Sequence, residues 1–318
     1  MFSPKRVPYY RAHAIGHEIA GGMRRSSLIR LVALALIWGS SFLWIKLALR
    51  SFSPGEIVVI RLALGALVLC AFLKARGERL PRGAHVWAHL GVAALFANVI
   101  PFALFAYGER QVDSAVAGIL NATTPLWTVL VAIAARQEQR PTPAKLAGIV
   151  VGFAGTVVIF SPWRHASQVM SWGGLACLVA SACYGFTFVY MVRFLTGRGL
   201  SPLRLAAGQL LAGTVIAALV LPLLGSPAPH LRTDALLAAA ILGALGTGVA
   251  YRINYGLIVD EGASATSIVT YLMPIVSVAL GAAALGELIP LNVMVGMLIV
   301  LAGVALARRQ ATLLQDAR

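Results

Sequence analysis

An all-α polytopic membrane protein is the fold class this sequence predicts, and three observations predict it. Of its 318 residues 59% are hydrophobic and only 12% charged, with a mean hydropathy of +0.84. That is too little charge to solvate the surface of a water-soluble domain. The apolar residues gather into ten runs, each close to the ~20 residues a helix needs to cross a bilayer. The chain also repeats itself. LNATTPLWTVLVAIAARQEQR (120–140) and VTYLMPIVSVALGAAALGELIP (269–290) share the landmarks Pro125/Pro274, Glu138/Glu287 and Pro141/Pro290, each pair 149 residues apart. A fixed offset over several landmarks marks a duplicated unit.

Residues 1–27 are polar and basic (Lys5, Arg6, Arg11, Arg24, Arg25) and lack an apolar segment followed by a small-residue cleavage site. They read as a mobile cytoplasmic tail, and no removable signal peptide is expected. The runs then follow at 28–49, 55–74, 85–107, 115–135 and 144–160, and again at 172–195, 203–224, 235–257, 265–285 and 290–308. Turn residues such as Ser53-Pro54, Pro81-Arg82-Gly83 and Ser161-Pro162 separate them. The organisation predicted is a first five-helix repeat over 28–160, a second over 172–308 and a cytoplasmic tail at 309–318.

With the N-terminus inside, the inner segments hold 19 Lys and Arg residues, and the outer ones hold only Arg50, Arg110, Arg164 and Arg232. The asymmetry places both termini in the cytoplasm. The net charge of +15 therefore reports membrane orientation rather than nucleic-acid binding. The partners expected are the lipid bilayer and a small-molecule substrate, not nucleic acid. Further matches extend the repeat: Gly39/Gly185 and Phe42/Phe188 at an offset of 146, and Ser53/Ser201, Tyr107/Tyr255, Gly148/Gly296 and Gly155/Gly303 at 148. Because five helices is an odd number, the second copy crosses in the opposite sense. That makes an inverted repeat, the architecture of alternating access.

Ten runs in two repeats, Trp38-Gly39-Ser40 in the first run, prolines centred in the fourth and ninth, and Glu138/Glu287 with Gly148/Gly155 toward each repeat's end together resemble the drug/metabolite transporter superfamily. More narrowly, the chain is similar to the EamA-type exporters over about residues 28–308, and to bacterial exporters of amino acids, aromatic ones included. It departs from that pattern at Gln137-Glu138, where such exporters more often carry Gly-Glu, as Gly286-Glu287 does here. The resemblance implies an inner-membrane, multi-pass transporter rather than an enzyme.

Polar groups within a bilayer are costly unless a partner or a water-filled cavity receives them. Asn121, Thr124, Pro125 and Thr128 share one helical face, and Ser267, Thr270, Tyr271 and Pro274 are their counterparts. Each proline frees a carbonyl one turn earlier, and Pro125 and Pro274 are candidate hinges at the repeat interface. The same polar residues also serve as hydrogen-bonding glue between helices. Aromatic side chains away from the run ends, Trp38, Phe42, Trp44, Phe102, Phe105, Tyr184, Phe188, Tyr190, Tyr251 and Tyr255, are candidates for lining an apolar cavity, against the alternative of core packing. With Ser41, Asn98, Asn121, Thr124, Thr187, Thr270 and Tyr271, the residues Trp38, Phe42, Trp44, Tyr184, Tyr251 and Tyr255 make up the predicted substrate site.

All 11 acidic residues fall in tails, loops or terminal helical turns, so no mid-membrane carboxylate is offered for proton relay, and facilitated export is the simpler mechanism. Arg61 and Arg252 are candidate charge contacts, and Arg61 lies about 9 Å into its helix at ~1.5 Å per residue. The pairs His85/His89 and His13/His17 are too few ligands for zinc. No metal, cofactor or catalytic motif is expected. Small-residue faces at Gly148, Gly152 and Gly155, and at Gly296 and Gly303, favour packing within the bundle, with a homodimer through helix five or ten as the alternative. Two rival functions are a nucleotide-sugar or sugar-phosphate antiporter, which needs cavity cations, and a membrane enzyme or receptor without transport, which would show an acid/base or metal cluster.

Overall fold

A computed structural model describes residues 25–112, 114–136, 142–161, 163, 166–224, 232–276 and 291–313. Glu138, Pro141, Glu287, Pro290, Gln137, Gly286 and the basic tail with His13 and His17 lie outside the described residues, as does the Phe42 side chain. Every element among the described residues is a helix. Among the described residues seven helices are long and apolar enough to cross a membrane, and the fifth, ninth and tenth runs correspond to shorter apolar helices, Leu146–Ile159, Ala263–Val276 and Leu291–Leu306.

The first run is α1 (Arg25–Gly39) and α2 (Ser41–Ala48), interrupted only at Ser40. The second run is α3 (Pro54–Ala75), which starts where the turn chemistry says it should. Ser53 accepts from Glu56 N–H at 3.3 Å while Glu56 Oε2 accepts from Ser53 N–H at 2.7 Å, a reciprocal capping box with Pro54 in the first turn. The third run is α4 (Ala84–Ala94), a π-helical segment at Leu95–Val99, and α5 (Ile100–Gly108). The fourth divides into α6 (Ser114–Asn121) and α7 (Thr124–Ala134), with Pro125 in the first turn of α7. The repeat closes on α8 (Pro143–Phe160) and is followed by the short α9 (Ala166–Val169).

The second repeat follows the same plan. After α10 (Trp172–Phe194), α11 (Pro202–Val220) begins on Ser201, whose hydroxyl accepts from Arg204 N–H at 3.3 Å, with Pro202 in the first turn as in α3. Then α12 (Thr233–Gly243), a second π-helical segment at Ala244–Val249 and α13 (Ala250–Glu261) mirror the interrupted third run. Gly262, at φ 83°, takes the left-handed turn that ends α13. Short α14 (Ala263–Ser267), helix α15 at 269–276 and α16 (Leu291–Leu313) complete the described chain.

Packing follows the sequence's polarity rather than a soluble protein's. The largest core cluster joins Leu62 and Leu69 of α3, Leu90 of α4, Phe188 of α10, Leu210 of α11 and Tyr255 of α13, so both repeats share one interior. Outer faces are equally apolar: Leu67 is 66% exposed, Leu219 72% and Leu298 68%. A helix that is hydrophobic all round suits lipid on one side and protein on the other. Ion pairs sit at the ends. Arg30 reaches Asp260 at 2.7 Å at one end of the α1–α2 and α12–α13 pair, and Arg50 reaches Asp234 at 2.9 Å at the other. Exposed pairs like these contribute about 0–1 kcal/mol each and fix alignment more than stability.

The glycine faces of α8 and α16 close on each other within the chain. A methyl on Gly155 would lie 2.6 Å from the backbone nitrogen of Val300, and one on Gly303 would collide with Gly152 N–H. The surface the sequence offered to a second copy is thus occupied by the protein's own helices. At Gly303 a Val substitution is expected to cost about 3 kcal/mol through overpacking, whereas Gly91→Ala, where a methyl meets open space, leaves stability unchanged or raised. Thermal unfolding of the detergent-purified variants, read by size-exclusion chromatography, distinguishes the two.

Candidate functional site

Two irregular helices shape the centre of the molecule. In the third run, Ile100 N–H donates five residues back to Leu95 O, the π-helical spacing that widens a turn and turns backbone groups sideways. Pro101 has no N–H for Ala97 O, its partner in a regular α-helix, and the Tyr251 hydroxyl donates to that carbonyl at 2.8 Å. In the eighth run, Ala250 N–H goes to Leu245 O and Thr247 O, and the Trp38 indole N–H donates to Gly246 O at 3.1 Å. Trp38 and Tyr251 meet edge to face, ring centroids 6.1 Å apart. Each π segment thus fastens an aromatic side chain from the other repeat.

A second pair of cross-links is built on positions 148 residues apart, Arg61 and Gln209. Arg61 Nε donates to Thr247 Oγ1 at 3.1 Å. Gln209 Nε2 donates to Asn98 Oδ1 at 2.7 Å and its Oε1 accepts from the Tyr255 hydroxyl. Duplication has conserved the geometry (second helix of one repeat to π segment of the other) and let the chemistry differ, a guanidinium in one half and an amide in the other.

Around these contacts lies a cavity partly open to solvent. Eight residues of the predicted substrate site and charge contacts line it: Trp38, Ser41, Arg61, Asn121, Tyr184, Thr187, Tyr251 and Thr270. Phe102, Phe105 and Phe188 supply further aromatic wall, and Phe105 stacks on Tyr184 at 5.9 Å. Arg61 lies over the Phe102 ring, Cζ 3.6 Å from its centroid. Several hydroxyls on the wall are turned to backbone carbonyls of the preceding turn, Ser41 to Ile37 O at 3.1 Å, Thr187 to Cys183 O at 2.8 Å and Thr270 to Ser267 O at 2.9 Å. Asn121 contacts Met273 Sδ through Nδ2 at 3.6 Å, and its Oδ1, like that of Asn254, is buried without a hydrogen-bond partner among the described residues.

Other candidates lie outside this lining. Tyr255 is fully buried on Gln209, Asn98 sits behind it, and Tyr271 is fully buried beside Gly152 with its hydroxyl donating to Ile149 O at 2.9 Å. Trp44 packs with Ile45 and Phe52 in a satellite core, and Thr124, Pro125 and Pro274 are buried beyond the wall. Arg252 is half-buried close to Gly256 and Arg30, away from the cavity. The lining also includes Met191, Asn254 and Met273, which the sequence reading passed over. Asn254 had a legible signal, a polar residue one turn from Tyr251 on the same face. Gln209 had another, a polar residue inside a run at the repeat position of Arg61. Glu109, at the end of α5, is only 6% exposed, a deeper carboxylate than its place at a helix end suggested.

The sequence profile of the EamA-like transporter family matches residues 25–161 and again 171–309. A probable terminal-alkyne amino-acid exporter of Streptantibioticus cattleyicolor is 29% identical over 287 residues, 88% of this chain and 92% of that protein. The uncharacterised inner membrane transporter YedA of Escherichia coli is 26% identical over 265 residues, 81% of this chain and 82% of its own length. A crystal structure 24% identical in sequence superposes with a TM-score of 0.74, covering 93% of this chain and 99% of the other, so the fold is shared.

Replacing Tyr255 by Phe strands Gln209 Oε1 in the core. The expected cost is about 1 kcal/mol, seen as a lower unfolding temperature with the cavity wall intact. Tyr184→Phe, whose hydroxyl is tied to no described group, leaves the unfolding temperature unchanged. Side-by-side thermal melts in one detergent read the difference.

Proposed function

The chain belongs to the EamA-like transporter family, and from that premise we propose that it exports small amphipathic metabolites, amino acids with aromatic or bulky apolar side chains foremost, across the bacterial inner membrane. The observation that carries this reading is the composition of the cavity: an aromatic wall drawn from both repeats with a few polar groups set into it. Such a wall suits a flat or branched apolar side chain, and the isolated polar groups suit an α-amino acid head. The relative described as a probable terminal-alkyne amino-acid exporter supports the same cargo class.

In this reading ten helices form two five-helix units, 28–160 and 172–308, of inverted topology, with both termini and the tails at 1–27 and 309–318 in the cytoplasm. The Lys and Arg asymmetry supports that orientation. Alternating access follows by exchange of the conformations of the two halves, pivoting near Pro125 and Pro274. Export runs down the substrate gradient, because among the described lining residues no carboxylate is present to carry a coupled proton. A nucleotide-sugar antiporter is disfavoured, since a diphosphate needs several cations and Arg61 alone of the described lining residues carries charge.

Flux in proteoliposomes tests the reading. Saturable transport of phenylalanine, tryptophan or leucine, unchanged by an imposed pH gradient, is expected, and Trp38→Ala or Tyr184→Ala is expected to lower it about tenfold or more with normal membrane expression. Absence of amino-acid flux beside exchange of phosphorylated compounds overturns it.

A further inference from the structure

One feature of the cavity serves neither packing nor apolar lining. Arg61 is 5% exposed and carries the only charge among the described lining residues. Its Nε is taken by Thr247 and its flat face by Phe102. Its Nη groups make no hydrogen bond to any described residue, and no described carboxylate lies within 4 Å. Withdrawing a guanidinium from water is costly unless a counter-charge meets it.

The other repeat shows what this position needs for structure alone. Gln209, 148 residues on, makes the equivalent cross-link to Asn98 with a neutral amide. The charge at Arg61 is therefore surplus to the helix–helix contact. We propose that Arg61 anchors the carboxylate of the transported molecule, so that the cavity selects apolar compounds bearing a free carboxylate over amides and amines of the same shape. A guanidinium presents paired N–H groups that match both oxygens of a carboxylate. Held at that pole, the substrate's apolar part lies along Phe105, Phe188 and Met191. The unpaired Oδ1 atoms of Asn121 and Asn254 accept from the ammonium of a zwitterion.

The cargo named here rests on the export reading, so binding and flux are measured separately. Binding is read by quenching of tryptophan fluorescence in the purified full-length protein, with phenylalanine and phenylalaninamide as paired probes. Wild type is expected to bind phenylalanine at least about tenfold more tightly. Arg61→Gln, which installs the residue the second repeat uses, is expected to close that gap to within about twofold, and Arg61→Lys to retain most of it. Equal binding of the two probes by wild type, no saturable binding of phenylalanine, or an undiminished preference in folded Arg61→Gln would each overturn the proposal. Should Arg61→Gln fail to fold, the wild-type and Arg61→Lys preferences decide it. Discrimination without flux defeats the export reading alone, and flux without discrimination defeats the role of Arg61 alone.

Discussion

In hydrocarbon a backbone carbonyl without a donor costs several kcal/mol, and the centre of this protein is arranged around two carbonyls released from regular helix. Ala97 O loses its α-helical donor to Pro101, and Gly246 O loses its own to the π-helical register that follows. Tyr251 and Trp38 donate to them. The same two side chains form part of the cavity wall, so satisfying the backbone and shaping the binding site are one act. An aromatic ring with a polar tip is the side chain suited to both, since the tip reaches the carbonyl while the ring faces the apolar space.

Duplication explains the rest of the centre. Each repeat sends a polar side chain from its second helix to the π segment of the other, Arg61 to Thr247 and Gln209 to Asn98. At that position the two halves differ in charge, a guanidinium in one and a neutral amide in the other. The second half keeps a sealed amide and tyrosine network behind the wall, while the first half exposes a guanidinium to the cavity. Farther out, α8 and α16 bring their glycines together.

The helical, membrane-embedded character was legible because lipid solvation imposes it run by run, and the repeat because its landmarks recur at a near-constant offset. The cavity was legible in part. Trp38, Tyr184, Tyr251, Asn121 and Arg61 stood out as polar or amphipathic residues inside runs, and all five line it. Tyr255 and Tyr271 stood out by the same rule and do not, since a few residues' difference along a helix rotates a ring from the cavity onto Gln209 or Ile149 O. Arg252 looked like Arg61 and instead lies half-buried near Arg30. In a membrane protein both faces of a helix are apolar, so the hydrophobic pattern that orients a soluble helix gives no such guide.

By itself, then, the sequence determined that the chain is helical, membrane-embedded and duplicated, because each of these follows from local composition and spacing. Only the tertiary structure decided which polar groups are sealed and which are open. Whether Gln209 is sealed behind the cavity wall and Arg61 set into it, and whether the glycines meet each other or a second copy, depends on the rotation and close approach of helices far apart in the chain. Those are properties of pairs of surfaces, and no single run encodes them.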